Sequence, residues 1–138
     1  MRRTRIKDIL GRGQAGGAVL VQGWVKTKRS SGAVSFVHIS DGSTLADLQI
    51  VVEESSHYFP LVEQLNTGAS IAVMGELVES QGKGQKYEIQ AKRLELYGTA
   101  DPETYPLQKK RHTLEFLREI AHLRPRTNTF GAMARMRN

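Results

Sequence analysis

The sequence predicts an all-β fold with one short helix, a five-stranded barrel followed by a mainly helical C-terminal extension. Three observations carry that prediction. Five stretches rich in β-branched and aromatic residues lie between Ala18 and Tyr97, each bounded by Gly, Ser or Asp turn signals. The hydrophobic period switches once to a helical one, between the third and fourth of these stretches. Beyond Gly98 the period is helical again, and three of the four prolines fall there.

The elements follow in order. Residues 18–28 form the first strand, Arg29-Ser30-Ser31-Gly32 a turn, and residues 33–39 the second strand. Asp41-Gly42-Ser43 turns the chain into a third strand over residues 45–52, completing a meander. Ser55 or Ser56 then caps a short helix with Pro60 in its first turn, where a missing N–H costs little. Phe59, Leu61, Val62 and Leu65 form its apolar face, and Gly68 lies just past its end. The fourth strand covers residues 70–78, and the Gln81–Gln85 loop leads to a fifth over residues 87–97. In the fifth, Ile89 and Ala91 share one parity while Leu94 and Leu96 share the other, which predicts a bulge near Lys92-Arg93. Three strands, a helix and two strands is the order of an OB-fold; five strands also close SH3-like barrels, and the helix favours the OB topology.

The tail differs in kind. Asp101-Pro102-Glu103-Thr104-Tyr105-Pro106 is a hinge signal. Thr113 to Leu123 is helical, with Leu114, Leu117, Ile120 and Ala121 on one side and Pro125 as its stop. Thr129 caps a further helix bearing Phe130, Met133 and Met136, whose apolar stripe is only begun at Asn138. A stripe cut short has no core of its own, so the chain reads as truncated.

A length of 138 residues suits one domain and an appendage, and 39% hydrophobic residues suffice for a core. The absence of cysteine excludes a disulfide framework, a thiolate zinc site and a cysteine nucleophile. The basic N-terminus lacks a following apolar run, against a secretory signal, and no stretch approaches the roughly 18 apolar residues of a membrane span. The expectation is a soluble, cytoplasmic protein with no membrane. Twenty Lys/Arg stand against 14 Asp/Glu, a net +6. Residues 1–30 carry eight bases and one acid, residues 31–100 four and nine, and residues 101–138 eight and four. A localised positive field beside an acidic middle suits a polyanionic partner, and equally suits a soluble basic arm.

Strand parity selects the candidate site. If Leu48, Ile50, Val52, Val37 and Ile39 fill the barrel, Phe36, His38, Asp47 and Gln49 project outward together. An outward ring beside an amide suits single-stranded nucleic acid, the ring stacking a base and the amide reading its edge. Parity alone also allows Phe36 in the core, where most phenylalanines reside, with Gln49 merely solvated. Arg29, with Lys26 and Lys28, ends the first strand beside this platform and offers phosphate or base contacts, or plain turn charge. Trp24 shares parity with Lys26 and could stack a base, but packing into the barrel is expected for it.

Other motifs carry little. Gly11-Arg12-Gly13-Gln14-Ala15-Gly16 matches a dinucleotide fingerprint only literally, with no preceding strand and no βαβ unit, so a flexible lead-in is expected. Gly82-Lys83-Gly84 is a hairpin loop. His38, His57, His112 and His122 have no zinc spacing, and no catalytic constellation is legible.

Taken together, Gly23-Trp24-Val25, Arg29, Phe36, Leu48-Gln49-Ile50-Val51 and Glu88-Ile89 resemble the anticodon-binding OB-fold of class II aminoacyl-tRNA synthetases of the aspartyl/lysyl subgroup. Tyr105-Pro106-Leu107-Gln108-Lys109-Lys110-Arg111-His112-Thr113-Leu114-Glu115-Phe116-Leu117-Arg118, with His122-Leu123-Arg124-Pro125-Arg126-Thr127, resembles the asparaginyl version of the hinge. The resemblance implies an OB-fold anticodon-binding domain over 1–100, a hinge over 101–126 and the start of a catalytic domain over 127–138. It implies that Phe36 stacks on an anticodon base, Gln49 recognises the central uridine, Arg29 contacts the loop and Glu88 discriminates another base; Lys26 and Lys28 remain candidate phosphate contacts by their position alone. A ligase of this family uses ATP and Mg²⁺ to attach asparagine to its tRNA as a homodimer. The class II catalytic motifs are not in this sequence, so the chain is expected to be inactive alone, with no cofactor. The alternatives are a stand-alone single-strand binder, the aspartyl counterpart, or a protein-interaction module.

Overall fold

Alternation of β-branched residues does produce five strands, and they close on themselves. The computed structural model describes residues 1–108 and 110–138; Lys109, in the hinge stretch quoted above, lies outside them. The strands are β1 (Ala18–Ser31), β2 (Val34–Ser40), β3 (Leu48–Glu53), β4 (Ser70–Glu79) and β5 (Tyr87–Gly98). They form a closed barrel in the order β1-β2-β3-β5-β4, the OB topology. All pairings are antiparallel except β3 with β5, which is parallel and joins Gln49, Ile50 and Val51 to Glu88, Ile89 and Gln90.

One long strand serves two neighbours. Ala18–Trp24 of β1 pairs with β4, and Trp24–Ser31 pairs with β2. The corner falls at Gly23, where a Cβ would stand 2.6 Å from the Ser40 carbonyl oxygen. Just beyond it the register skips Lys26, a bulge that bends β1 around the barrel. The bulge expected in β5 is present: Met74 pairs with Arg93 and Gly75 with Ala91, leaving Lys92 extra. A Cβ on Gly75 would come within 2.1 Å of the Gln90 carbonyl oxygen, so only glycine admits this close approach.

Val19, Val21, Val25, Val37, Ile39, Leu48, Ile50, Val52, Ile71, Val73, Leu77 and Ile89 fill the interior, as alternation requires. A short helix absent from the sequence reading, α1 (Ile6–Leu10), plugs one end with Ile6 and Ile9, both fully buried. Its first N–H groups are satisfied from far along the chain: Ile6 N–H donates to Asp41 Oδ2 at 2.9 Å and Lys7 N–H to Ser43 Oγ at 3.0 Å. Partial burial would raise the Asp41 carboxyl, but the Ser43 hydroxyl and the Ile6 and Ser43 amides, with Arg3 nearby, together hold it below its ordinary range. The expected helix between β3 and β4 is a 3₁₀ segment, Phe59–Gln64, with Pro60 in its first turn. No serine side chain caps it at its N-cap Tyr58; Ser56 Oγ accepts the Tyr58 N–H instead, at 3.2 Å.

The extension folds back on the barrel. Thr113 Oγ1 accepts the Phe116 N–H at 3.1 Å and starts α2 (Leu114–Glu119). Only Leu117 of the expected apolar side is buried, and Leu114 is 50% exposed. Pro125 does not stop this helix; it sits in a following 3₁₀ turn, Arg124–Arg126. α3 (Asn128–Arg137) starts after Thr127, not after a Thr129 cap.

Candidate nucleic-acid interface

The barrel register lines side chains into two rows on the outer face of β2, β3 and β5. Arg29 lies opposite Phe36, Phe36 opposite Val51, and Val51 beside Gln90. In the adjacent row Thr27 faces His38, His38 faces Gln49, and Gln49 lies beside Glu88. Phe36 and His38 are half-buried and alternate with Val37 and Ile39, which have no exposed surface. Phe36 is therefore on the outside of the barrel, and the core alternative for it is excluded.

The Arg29 guanidinium carbon stands 5.0 Å from the Phe36 ring centroid, a cation–π arrangement at the platform edge. A planar, weakly hydrated cation on an aromatic face suits a surface that stacks bases and neutralises the phosphates between them.

The second row is a hydrogen-bond network. Gln49 is only 6% exposed and its amide is engaged at both ends. Nε2 donates to Glu88 Oε2 at 2.7 Å, while Oε1 accepts from Gln85 Nε2 at 3.1 Å and faces His38 Nε2 at 3.1 Å. Ser80 Oγ lies 3.3 Å from Glu88 Oε2 and 3.4 Å from Gln85 Oε1, and accepts the Gly82 N–H at 3.2 Å, tying the β4–β5 loop to the network. Gln85 and Ser80 carried no signal in the sequence, because their proximity to Gln49 exists only once the parallel seam is closed.

The structure thus brings Arg29, Phe36, Gln49 and Glu88 together and sends the two lysines elsewhere. Lys28 lies on the opposite strand face from Arg29, its Nζ donating to the Val62 carbonyl at 2.9 Å and approaching that of Glu63 at 3.4 Å. Lys26 Nζ donates to the Arg126 carbonyl at 2.6 Å. Trp24 does not pack in the barrel. It is 39% exposed, and the Arg126 guanidinium carbon lies 4.3 Å from its ring centroid.

Trp24, Lys26, Asp47, Tyr105, Arg126 and Arg135 help line a cleft of about 580 Å³ between barrel and extension. Partial desolvation at its edge raises the Asp47 carboxyl, against the lowering fields of Lys26 and His38. Among the described residues no three His, Asp or Glu side chains gather as a metal site, and no helix is long and apolar enough to cross a membrane.

Residues 19–97 match the tRNA anti-codon family model, described as an OB-fold nucleic acid binding domain. The chain belongs to that family. This OB-fold nucleic acid binding domain and its extension together match asparagine–tRNA ligases. The chain is 59% identical to the Porphyromonas gingivalis (strain ATCC BAA-308 / W83) protein over 138 residues, all of this chain and 29% of that one. It is 57% identical to the Thermosynechococcus vestitus protein over 137 residues, 99% of this chain and 30% of that one. The chain therefore spans about three tenths of the length of these relatives. The asparaginyl-tRNA synthetase of Pyrococcus horikoshii shares the fold, with a TM-score of 0.75 at 22% identity over 91% of this chain and 30% of that one.

Proposed function

We propose that the outer face of β2, β3 and β5 binds the anticodon loop of an asparagine-specific tRNA, as the recognition part of an asparagine–tRNA ligase. The observation supporting this reading is the convergence of Arg29, Phe36, Gln49 and Glu88 on that one face. Phe36 stacks an anticodon base, and Arg29 beside it meets the loop. Gln49 and Glu88 read the central uridine together, rather than Gln49 alone with Glu88 on another base, since Glu88 is bonded to the Gln49 amide and the amide oxygen is already taken by Gln85 and His38. One Gln49 N–H meets a base carbonyl. Glu88 Oε1, which accepts no hydrogen bond among the described residues, meets the imino N–H. With the ribose held in one direction, cytidine would present donor to donor and acceptor to carboxylate, and is rejected.

On this reading residues 1–100 are the recognition domain, 101–126 a hinge and 127–138 the start of a catalytic domain. Lys26 and Lys28 act in fixing the extension and the barrel end, not in gripping phosphates. The whole protein would attach asparagine to tRNA with ATP and Mg²⁺, as a cytoplasmic homodimer.

Titration of an anticodon stem-loop RNA against the chain tests the reading. Phe36→Ala should weaken binding by about 1–3 kcal/mol, roughly fivefold to over a hundredfold. Unchanged affinity would remove the stacking role.

A further inference from the structure

We propose that Gln85, assisted by His38, is a positioning residue that fixes which way the Gln49 amide points and so decides which base the site accepts. The inference rests on the reading of Gln49 and Glu88 as the base-edge contact, and it concerns a loop residue that never touches the base.

An amide side chain is nearly symmetric in shape but opposite in chemistry at its two ends, so a half-turn about its last bond exchanges donor for acceptor. A reading amide must therefore be held. Glu88 holds one end: an ionised carboxylate accepts only, and its Oε2 lies 2.7 Å from Gln49 Nε2. The other end is held by donors. Gln85 Nε2 donates to Gln49 Oε1 at 3.1 Å, and His38 Nε2, when it carries a proton, donates to the same oxygen at 3.1 Å. Gln85 Oε1 lies 3.4 Å from the Ser80 hydroxyl, whose single proton it shares with Glu88 Oε2 at 3.3 Å, and its NH₂ faces Gln49. Reversing the Gln49 amide would set an oxygen against the Glu88 carboxylate and NH₂ groups against each other. Two mismatched contacts would replace two matched ones.

The arrangement gives the β4–β5 loop a share in specificity. Stacking on Phe36 is indifferent to base identity, since every base has a π-face. Discrimination comes from the Gln49 N–H presented beside the Glu88 oxygen, and that N–H is available only while Gln85 occupies Oε1. A carboxylate at position 85 would draw an amide N–H to itself and take the reading donor away. A donor-only side chain there would leave it in place.

The test measures affinities of the full chain for two anticodon stem-loops of equal charge that differ only by U or C at the central position. Their ratio cancels non-specific electrostatic changes. The wild-type chain should prefer U. Gln85→Glu should cut that preference about tenfold, while Gln85→Lys, keeping donors at the same place, should retain it. Retention of the full preference in Gln85→Glu, or its equal loss in Gln85→Lys, would overturn the positioning role and leave the base-reading assignment standing. A wild-type chain without any U preference would overturn both. A fall confined to Gln85→Glu would establish it, because a merely structural loop residue has no reason to distinguish an acceptor from a donor.

Discussion

Asp41 shows how much one side chain does in a small barrel. It follows β2, accepts the amide of Ile6 and both the amide and hydroxyl of Ser43, and so ties the N-terminal helix to a turn 35 positions away. Those bonds, aided by Arg3, outweigh partial burial and hold its carboxyl below the ordinary value. A group with a depressed folded pKa contributes stability that is fully present above its unfolded pKa, near pH 4, and is lost as pH falls through the folded value. Asp41→Asn should therefore unfold more easily than wild type at pH 7, with the gap closing below about pH 4. Urea unfolding at a series of pH values measures it, and a gap independent of pH would contradict the carboxylate's role. At this scale the sequence was partly legible. Alternation offered Phe36, His38 and Gln49 as residues of one outer face, because side-chain period in a strand is a local property, but it left Phe36 free to be core and did not show that Gln49 is buried in a network. Trp24 was misjudged because a large ring favours burial on average, whereas its parity and the Arg126 guanidinium place it outside.

Among the elements, the helix α1 is not among those expected from the sequence, although Ile6, Ile9 and Leu10 stand at helical spacing. Five residues cannot sustain a helix alone. This one exists because Ile6 and Ile9 find the open barrel end and because Asp41 and Ser43 take its free amides. Ile9→Ala should accordingly cost about 2–5 kcal/mol in urea unfolding, the range for a fully buried aliphatic; a loss below 1 kcal/mol would mean the helix is not part of the core. The β5 bulge, by contrast, announced itself as a switch of parity and is confirmed at Lys92. Its glycine partner did not, since a contact between Gly75 and the Gln90 carbonyl is a tertiary fact. Gly75→Ala should destabilise by roughly 1–3 kcal/mol through displaced backbone. An unchanged unfolding midpoint would show that the bulge relaxes freely.

The molecule as a whole combines the face that carries Phe36 and Gln49 with an extension laid along another side of the barrel. Trp24 with Arg126, Lys26 with the Arg126 carbonyl, and Arg135 with the Gly42 carbonyl at 2.6 Å fasten that extension. Trp24→Ala should raise amide hydrogen exchange across residues 124–137 while leaving the barrel strands protected; uniform protection would assign the fastening elsewhere. Charge acts at the same scale. If Phe36 stacks one base and Arg29 meets the loop, as proposed, affinity for a stem-loop should fall with salt, the log–log slope near −0.7 for each single-strand phosphate neutralised. Equal affinity and slope for any oligonucleotide would favour a generic single-strand binder. The barrel and its OB type were readable from one sequence, and parity offered positions 36 and 49 as an outward pair without deciding it. The bonds of Gln49 to Gln85 and Glu88 were not, because they form across chain separations of 36 and 39 residues.

The parallel junction of β3 with β5 closes the barrel through only three residue pairs, and Gln49 and Glu88 are the first of them. A bound loop bridging both side chains would act as a clasp across the cylinder's narrowest join. Its occupancy should slow unzipping there, so that protection from proteolysis tracks RNA concentration by mass action.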